Sequence, residues 1–185
     1  MYKIKFNGLV CIMNTFTVSF FGHRQIDRPF EAEERLEKII RELIRSREYV
    51  EFLVGRNGEF DQMAASTVRR VKKAVDDANS ALVLVLPYMT AEYVNNKASF
   101  EDYYDEIEVF ESGHFRSAFQ QRNRAMVDRS DLVICCIERD EGGAYKAVRY
   151  AQKTNKKVMN VAYRAEMQER LDRVFDNNND DKTQS

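Results

Sequence analysis

The chain has 185 residues, 44% hydrophobic and 32% charged, with 29 Lys and Arg against 30 Asp and Glu for a net charge of -1. That length fits one domain with a buried core, and so even a charge balance withholds the basic face that non-specific nucleic-acid binding draws on. Three cysteines (Cys11, Cys135, Cys136) and two histidines are too few for a disulfide scaffold or a zinc site. No apolar run approaches the ~20 residues of a membrane span, and no secretory leader is legible. The expectation is a cytoplasmic domain without a membrane partner, with nucleic acid disfavoured.

Met1 to Asn14 reads either as an added strand or as an extension ahead of Met13 as the true start. From Thr15 the pattern settles. Thr15 to Phe21 is β-branched and aromatic, a strand composition, and it stops at Gly22. Asp27-Arg28-Pro29 opens a helix, with acids beside it to complement the dipole and Leu36, Ile39, Ile40, Leu43 and Ile44 at helical spacing. Phe52-Leu53-Val54 is a short strand ending at Gly55, and a helix after Gly58 carries Ala64, Val68, Val71 and Val75 on one face. Ala81 to Leu86 and Leu132 to Ile137 are apolar throughout, as strands buried on both faces are. Between them, Ser99 to Tyr104 suggests a helical turn, Ile107 to Phe110 an irregular or edge strand, and Arg116 to Arg129 a helix. A helix from about Tyr145 to Lys153 and a last strand, Lys157 to Ala162, complete the order.

Strands alternating with helices predict an α/β fold: a three-layer, Rossmann-like domain with a mainly parallel sheet and helices on both faces. It spans 15–175, after the extension 1–14 and before a polar, disordered tail at 176–185. Right-handed crossovers put every strand's carboxyl end on one edge of such a sheet, where ligands bind.

Three of those ends carry unusual residues. Gly22-His23-Arg24 offers a tight exit, an imidazole and a guanidinium; His23 either satisfies the core or faces a ligand. Gly55-Arg56-Asn57-Gly58, with Asp61 just beyond, frees backbone amides at a helix start, an arrangement that holds anions. Arg56 adds a forked donor, and Asp61 either caps the helix or accepts from a ribose hydroxyl. Gly142-Gly143 precedes a third helix, and Arg122 and Asn123 add polar groups on a helix that otherwise packs. The glycines match neither the three-glycine dinucleotide fingerprint nor the P-loop. No cofactor or metal is called for, and no nucleophile or metal cluster can be assembled from the two histidines.

The ordered set Phe20-Phe21-Gly22-His23-Arg24, Gly55 to Asp61, Tyr104-Asp105-Glu106-Ile107, Arg122 to Asp131 and Gly142-Gly143-Ala144 resembles the YpsA-like branch of the SLOG superfamily. These are Rossmann-like proteins related to DprA and the LOG enzymes, and many are uncharacterised bacterial or phage proteins. The resemblance covers about Thr17 to Ala162. It implies a pocket for a nucleotide or nucleotide-derived molecule, formed by Gly22, His23, Arg24, Gly55, Gly58, Asp61, Arg122, Asn123, Gly142 and Gly143. Arg56 stands where many relatives have a second glycine, which narrows the loop. The LOG-type motif needs a catalytic glutamate in the helix turn after its glycines, and Gly142 to Val148 has none.

The leading reading is therefore a sensor-like protein that binds a nucleotide-like small molecule, rather than a catalyst. The alternative is a nucleotide hydrolase acting on an N-glycosidic or phosphoester bond, with Glu59, Asp61, Asp105 or Glu106 as acid/base groups. A DprA-like nucleic-acid accessory protein ranks third. The sequence leaves a homo-oligomer open.

Overall fold

The computed structural model describes residues 2–6, 9–75, 78–110 and 115–163. The tail expected to be disordered lies outside the described residues. Two strands, β1 (Tyr2–Phe6) and β2 (Leu9–Met13), pair antiparallel with each other in a sheet of their own.

The rest alternates: β3 (Thr15–Gly22), α1 (Pro29–Ser46), β4 (Tyr49–Val54), α2 (Glu59–Val75) and β5 (Ser80–Leu86). Two short helices follow, α3 (Ala91–Asn95) and α4 (Lys97–Tyr103), then β6 (Glu106–Val109), α5 (Ala118–Arg129), β7 (Leu132–Cys136), α6 (Gly142–Lys153) and β8 (Lys157–Asn160). β3 to β8 form one six-stranded sheet in the order β6-β5-β4-β3-β7-β8, and every neighbouring pair is parallel.

The period-two alternation of side chains explains the three layers. Val18 and Phe20, Phe52 and Val54, Leu82 and Leu84, and Ile134 face the α1–α2 side, where Phe60, Leu36, Ile40 and Val68 cover them. Phe21, Leu53, Val83, Val85, Val133 and Cys135 face the other way, against Met126, Val127, Ala147, Val148 and Ala151 of α5 and α6. Both faces of the central strands are thus apolar, the pattern of a sheet buried on both sides. The sheet is wholly parallel, a Rossmann-like α/β fold.

The chain walks outward from β3 to β6, then returns along α5 to place β7 on β3's other side. Strand order reverses between β3 and β7, with Gly22 registered opposite Cys136. A crevice opens at such a reversal, outside the carboxyl ends of the strands. No described helix is long and apolar enough to cross a membrane.

Candidate functional site

A cleft of about 1170 Å³ opens at this reversal, lined by residues of all three glycine turns and of α5. Of the residues singled out from the sequence, Gly22, His23, Arg24, Arg56, Gly58, Asp61, Arg122, Asn123, Gly142 and Gly143 line it; Gly55 does not.

The glycines differ in what they do. A Cβ on Gly22 would meet the Phe60 ring at 2.4 Å, so this glycine lets the first turn of α2 pack onto the end of β3. A Cβ on Gly58 would lie 2.8 Å from the Arg24 Cα and 3.3 Å from the His23 carbonyl oxygen. Two loops therefore touch backbone to backbone, joined further by the Glu59 amide donating to the Arg24 carbonyl at 3.0 Å. Gly55 is buried beneath the cleft floor, and a Cβ there would meet Arg122 Nη1 at 2.6 Å and Asp61 Oδ2 at 2.7 Å. Gly142, at φ +86°, has open space where a side chain would stand. α6 begins there, not near Tyr145 as the sequence suggested. Glycine's poor helix propensity hid the first turn, and Glu141 ahead of it makes no side-chain cap.

His23 is only 8% exposed. Its Nε2 accepts the Arg139 amide N–H at 3.2 Å, which puts the ring proton of the neutral form on Nδ1. The imidazole thus ties the end of β3 to the loop after β7, the structural one of its two expected roles. Arg24 is exposed at the cleft. Arg56 is held toward the outer rim, 2.9 Å from Glu92 and 3.3 Å from the Tyr104 hydroxyl, with its guanidinium over the Phe100 ring.

Arg122 forms the floor, 4% exposed. Its Nη1 donates to the Val85 carbonyl at 3.1 Å, while its buried Nε has no partner among the described residues. Asp61 keeps part of its surface open, but its carboxylate is enclosed by the turn and accepts the Asn57 amide at 2.9 Å. Burial holds this carboxyl above the usual range, against the pull of that amide and of the Arg122 charge. The same burial lowers the Arg122 guanidinium, which the Asp61 charge opposes. Burial of the Asp61 carboxyl is offset first by the Asn57 amide and then by the Arg122 charge, and burial of Arg122 by the Asp61 charge.

The carboxylates considered for acid/base chemistry have structural partners. Glu59 Oε2 accepts the Ile26 amide at 3.0 Å. Asp105 accepts from Lys72 and from the Leu82 amide, pinning the start of β6 at the amino edge of the sheet, away from the cleft; neither it nor Glu106 lines the cavity. Burial pushes the Cys135 and Cys136 thiols up to about 12, leaving them unreactive near neutrality. Among the described residues, no group of three or more His, Cys, Asp or Glu could hold a metal.

Sequence reasoning missed Gln25, Arg139 and Phe119. The first two follow strand ends directly, which was a usable signal. Phe119 is 40% exposed and stands at the cleft with the Arg122 guanidinium near its ring.

No protein-family model matches the chain, and neither does any curated protein. Solved structures do. DNA processing protein A (DprA) from Streptococcus pneumoniae superposes with a TM-score of 0.57 at 16% identity, over 78% of this chain and 49% of its own. DNA processing protein A from Helicobacter pylori, whose structure was described for its single-stranded DNA binding mode, gives 0.56 at 20% identity, over 77% and 63%. The chain spans about half of the first and under two thirds of the second. At these identities the likeness establishes the Rossmann-like fold, the one to which the DprA-related resemblance pointed.

It also corrects one expectation. Nucleic acid had been disfavoured on the balanced charge, yet a protein of this fold binds single-stranded DNA. Net charge averages over the whole surface, whereas a strand is held by local donors in a cleft and needs no basic face overall.

Proposed function

We propose that the cleft binds the phosphate of a nucleotide, either free or as one unit of a single strand, in a cytoplasmic protein of the YpsA-like branch. The observation that carries this reading is the floor arginine. Burying a charged donor without a partner costs free energy, and Arg122 Nε is such a donor at a cleft. An anion in the cleft offsets the charge of that guanidinium from its open side. The first-turn amides of α6 lack intrahelical partners by construction and sit at the positive end of the helix. Glycines at 142 and 143 keep that end uncovered. Exposed Arg24 supplies a forked donor from the opposite loop. Four arginines and three carboxylates line the cavity, so recognition rests on aimed donors and not on a cationic field. A free nucleotide and a nucleotide within a strand both present an anionic phosphate; the Helicobacter pylori fold neighbour favours the second.

Thermal shift against a panel of nucleoside mono- and diphosphates and cyclic nucleotides tests the reading. At least one should raise the Tm of the wild type and raise it less in Arg24→Ala. A panel that stabilises both proteins equally, or neither, contradicts it.

Asp61 sets the pH dependence. Its raised folded value means that acidification protonates it above the ordinary carboxylate range. The negative charge beside Arg122 then vanishes, so an anion binds more tightly as pH falls. A cyclic nucleotide, whose phosphodiester keeps its charge throughout, reads this directly. Asp61→Asn should bind it more tightly at pH 7 by about 1 kcal/mol, the scale of one charge pair in hydrated surroundings, and with a flatter pH profile. Parallel profiles for the two proteins would remove Asp61 from the account.

A further inference from the structure

A second cavity, of about 420 Å³, lies between α5 and α6 and shares Asn123 and Gly143 with the main cleft. Its character is different. Arg124, Lys146, Arg149 and Lys153 line it, and no carboxylate does. Other surface cations are neutralised in pairs, among them Arg70 by Glu33 and Glu37, Arg69 by Asp102, and Lys38 by Glu34. Among the described residues none of these four cations pairs with a carboxylate; Arg149 reaches only the Gln152 side-chain oxygen. The nearby acid, Asp128, instead accepts the Tyr150 hydroxyl at 2.8 Å. Two rings stand among the charges. Tyr145 and Tyr150 are half-buried, and the Arg124 guanidinium lies 5.5 Å from the centre of the Tyr150 ring.

Lys146, Arg149 and Lys153 follow one another at helical spacing, so they line a single stripe of α6 leading away from its N-terminus. From Gly143 to Lys153 that stripe runs about 15 Å, the length of about four stacked nucleotides at about 3.4 Å each. A row of unpaired cations with rings between them tracks a phosphate backbone while offering faces on which bases stack. An acidic peptide would use the charges but not the rings.

We infer that the α5–α6 groove is a subsite for the continuing strand of a single-stranded oligonucleotide, one nucleotide of which occupies the cleft. This rests on the cleft reading above and names its ligand as a strand rather than a mononucleotide.

Fluorescence anisotropy on the full chain, with labelled thymidine mononucleotide and hexathymidylate, tests it in wild type, Arg24→Ala and the double variant Lys146→Gln/Arg149→Gln. The wild type should bind the hexamer about tenfold or more tightly than the monomer. The groove variant should lose that gain, keep its monomer affinity, and lower the salt slope by about 1.4, two cations at about 0.7 each. Equal hexamer binding in groove variant and wild type overturns the inference. So does displacement of the hexamer by hexaglutamate as effective as by unlabelled strand. A hexamer that binds through the groove while Arg24→Ala changes nothing for either ligand overturns the cleft reading instead, and leaves the groove standing.

Discussion

Arg129→Ala should lower stability by about 3 kcal/mol, read as a fall of about 10 °C in Tm. The cause is Glu51, whose side chain is 8% exposed in the middle of β4. Arg129 grips it with two nitrogens, Nη2 at 2.8 Å and Nε at 3.2 Å, and reaches Glu108 with Nη1 at 2.7 Å. Among the described residues only the Thr17 hydroxyl, donating at 3.2 Å, would remain to Glu51. Removing one partner of a buried ion pair costs about 3–5 kcal/mol because the other charge is stranded. The lower figure applies because Arg129 itself is open to water on one side. For a chain of this length, each kcal/mol moves Tm by about 2–4 °C. Glu51→Gln added to Arg129→Ala should recover a good part of the loss, since a neutral amide is cheaper to bury. Calorimetry of the two variants checks both statements. A fall under about 2 °C for Arg129→Ala would mean that Glu51 is hydrated in the folded protein.

Gly58→Val should weaken nucleotide binding about tenfold or more and cost about 1–3 kcal/mol of stability. The atoms that a side chain would strike belong to the Arg24 and His23 backbone. Backbone cannot swing aside as a side-chain tip can, so the two loops must part. That costs the energy of overpacking and shifts Arg24 relative to α6, spoiling the convergence of donors on one phosphate. Titration calorimetry beside a melting curve separates the two effects. A variant that melts lower but binds as tightly as wild type would show that the loop contact does not shape the site.

The fold was readable because its strands advertise themselves. Ala81 to Leu86 and Leu132 to Cys136 are apolar at every position, which only a sheet covered on both faces requires. Their neighbours Tyr49 to Glu51 were left out of β4 because a buried glutamate looks like a strand end until Arg129 is seen across the molecule. α3 escaped notice for a related reason: five residues are too few to show helical periodicity, and its cap at Thr90 is a local signal only. At the site, the chain positions of the glycines foretold the three turns but not their separate uses. Nothing in the local sequence distinguishes Gly22, which seats Phe60, from Gly142, which adopts positive φ beside open space. Arg56 read as a ligand donor because its partner Glu92 lies 36 residues away. The groove cations were invisible among 29 basic residues, since pairing depends on what folds next to them.

The central claim is best tested by a crystal structure of the protein with a bound nucleoside monophosphate. The phosphate should lie against the Gly142-Gly143 end of α6, with Arg122 and Arg24 within hydrogen-bonding distance. Density for the nucleotide anywhere else on the molecule, with the space above Arg122 filled by water alone, would contradict it.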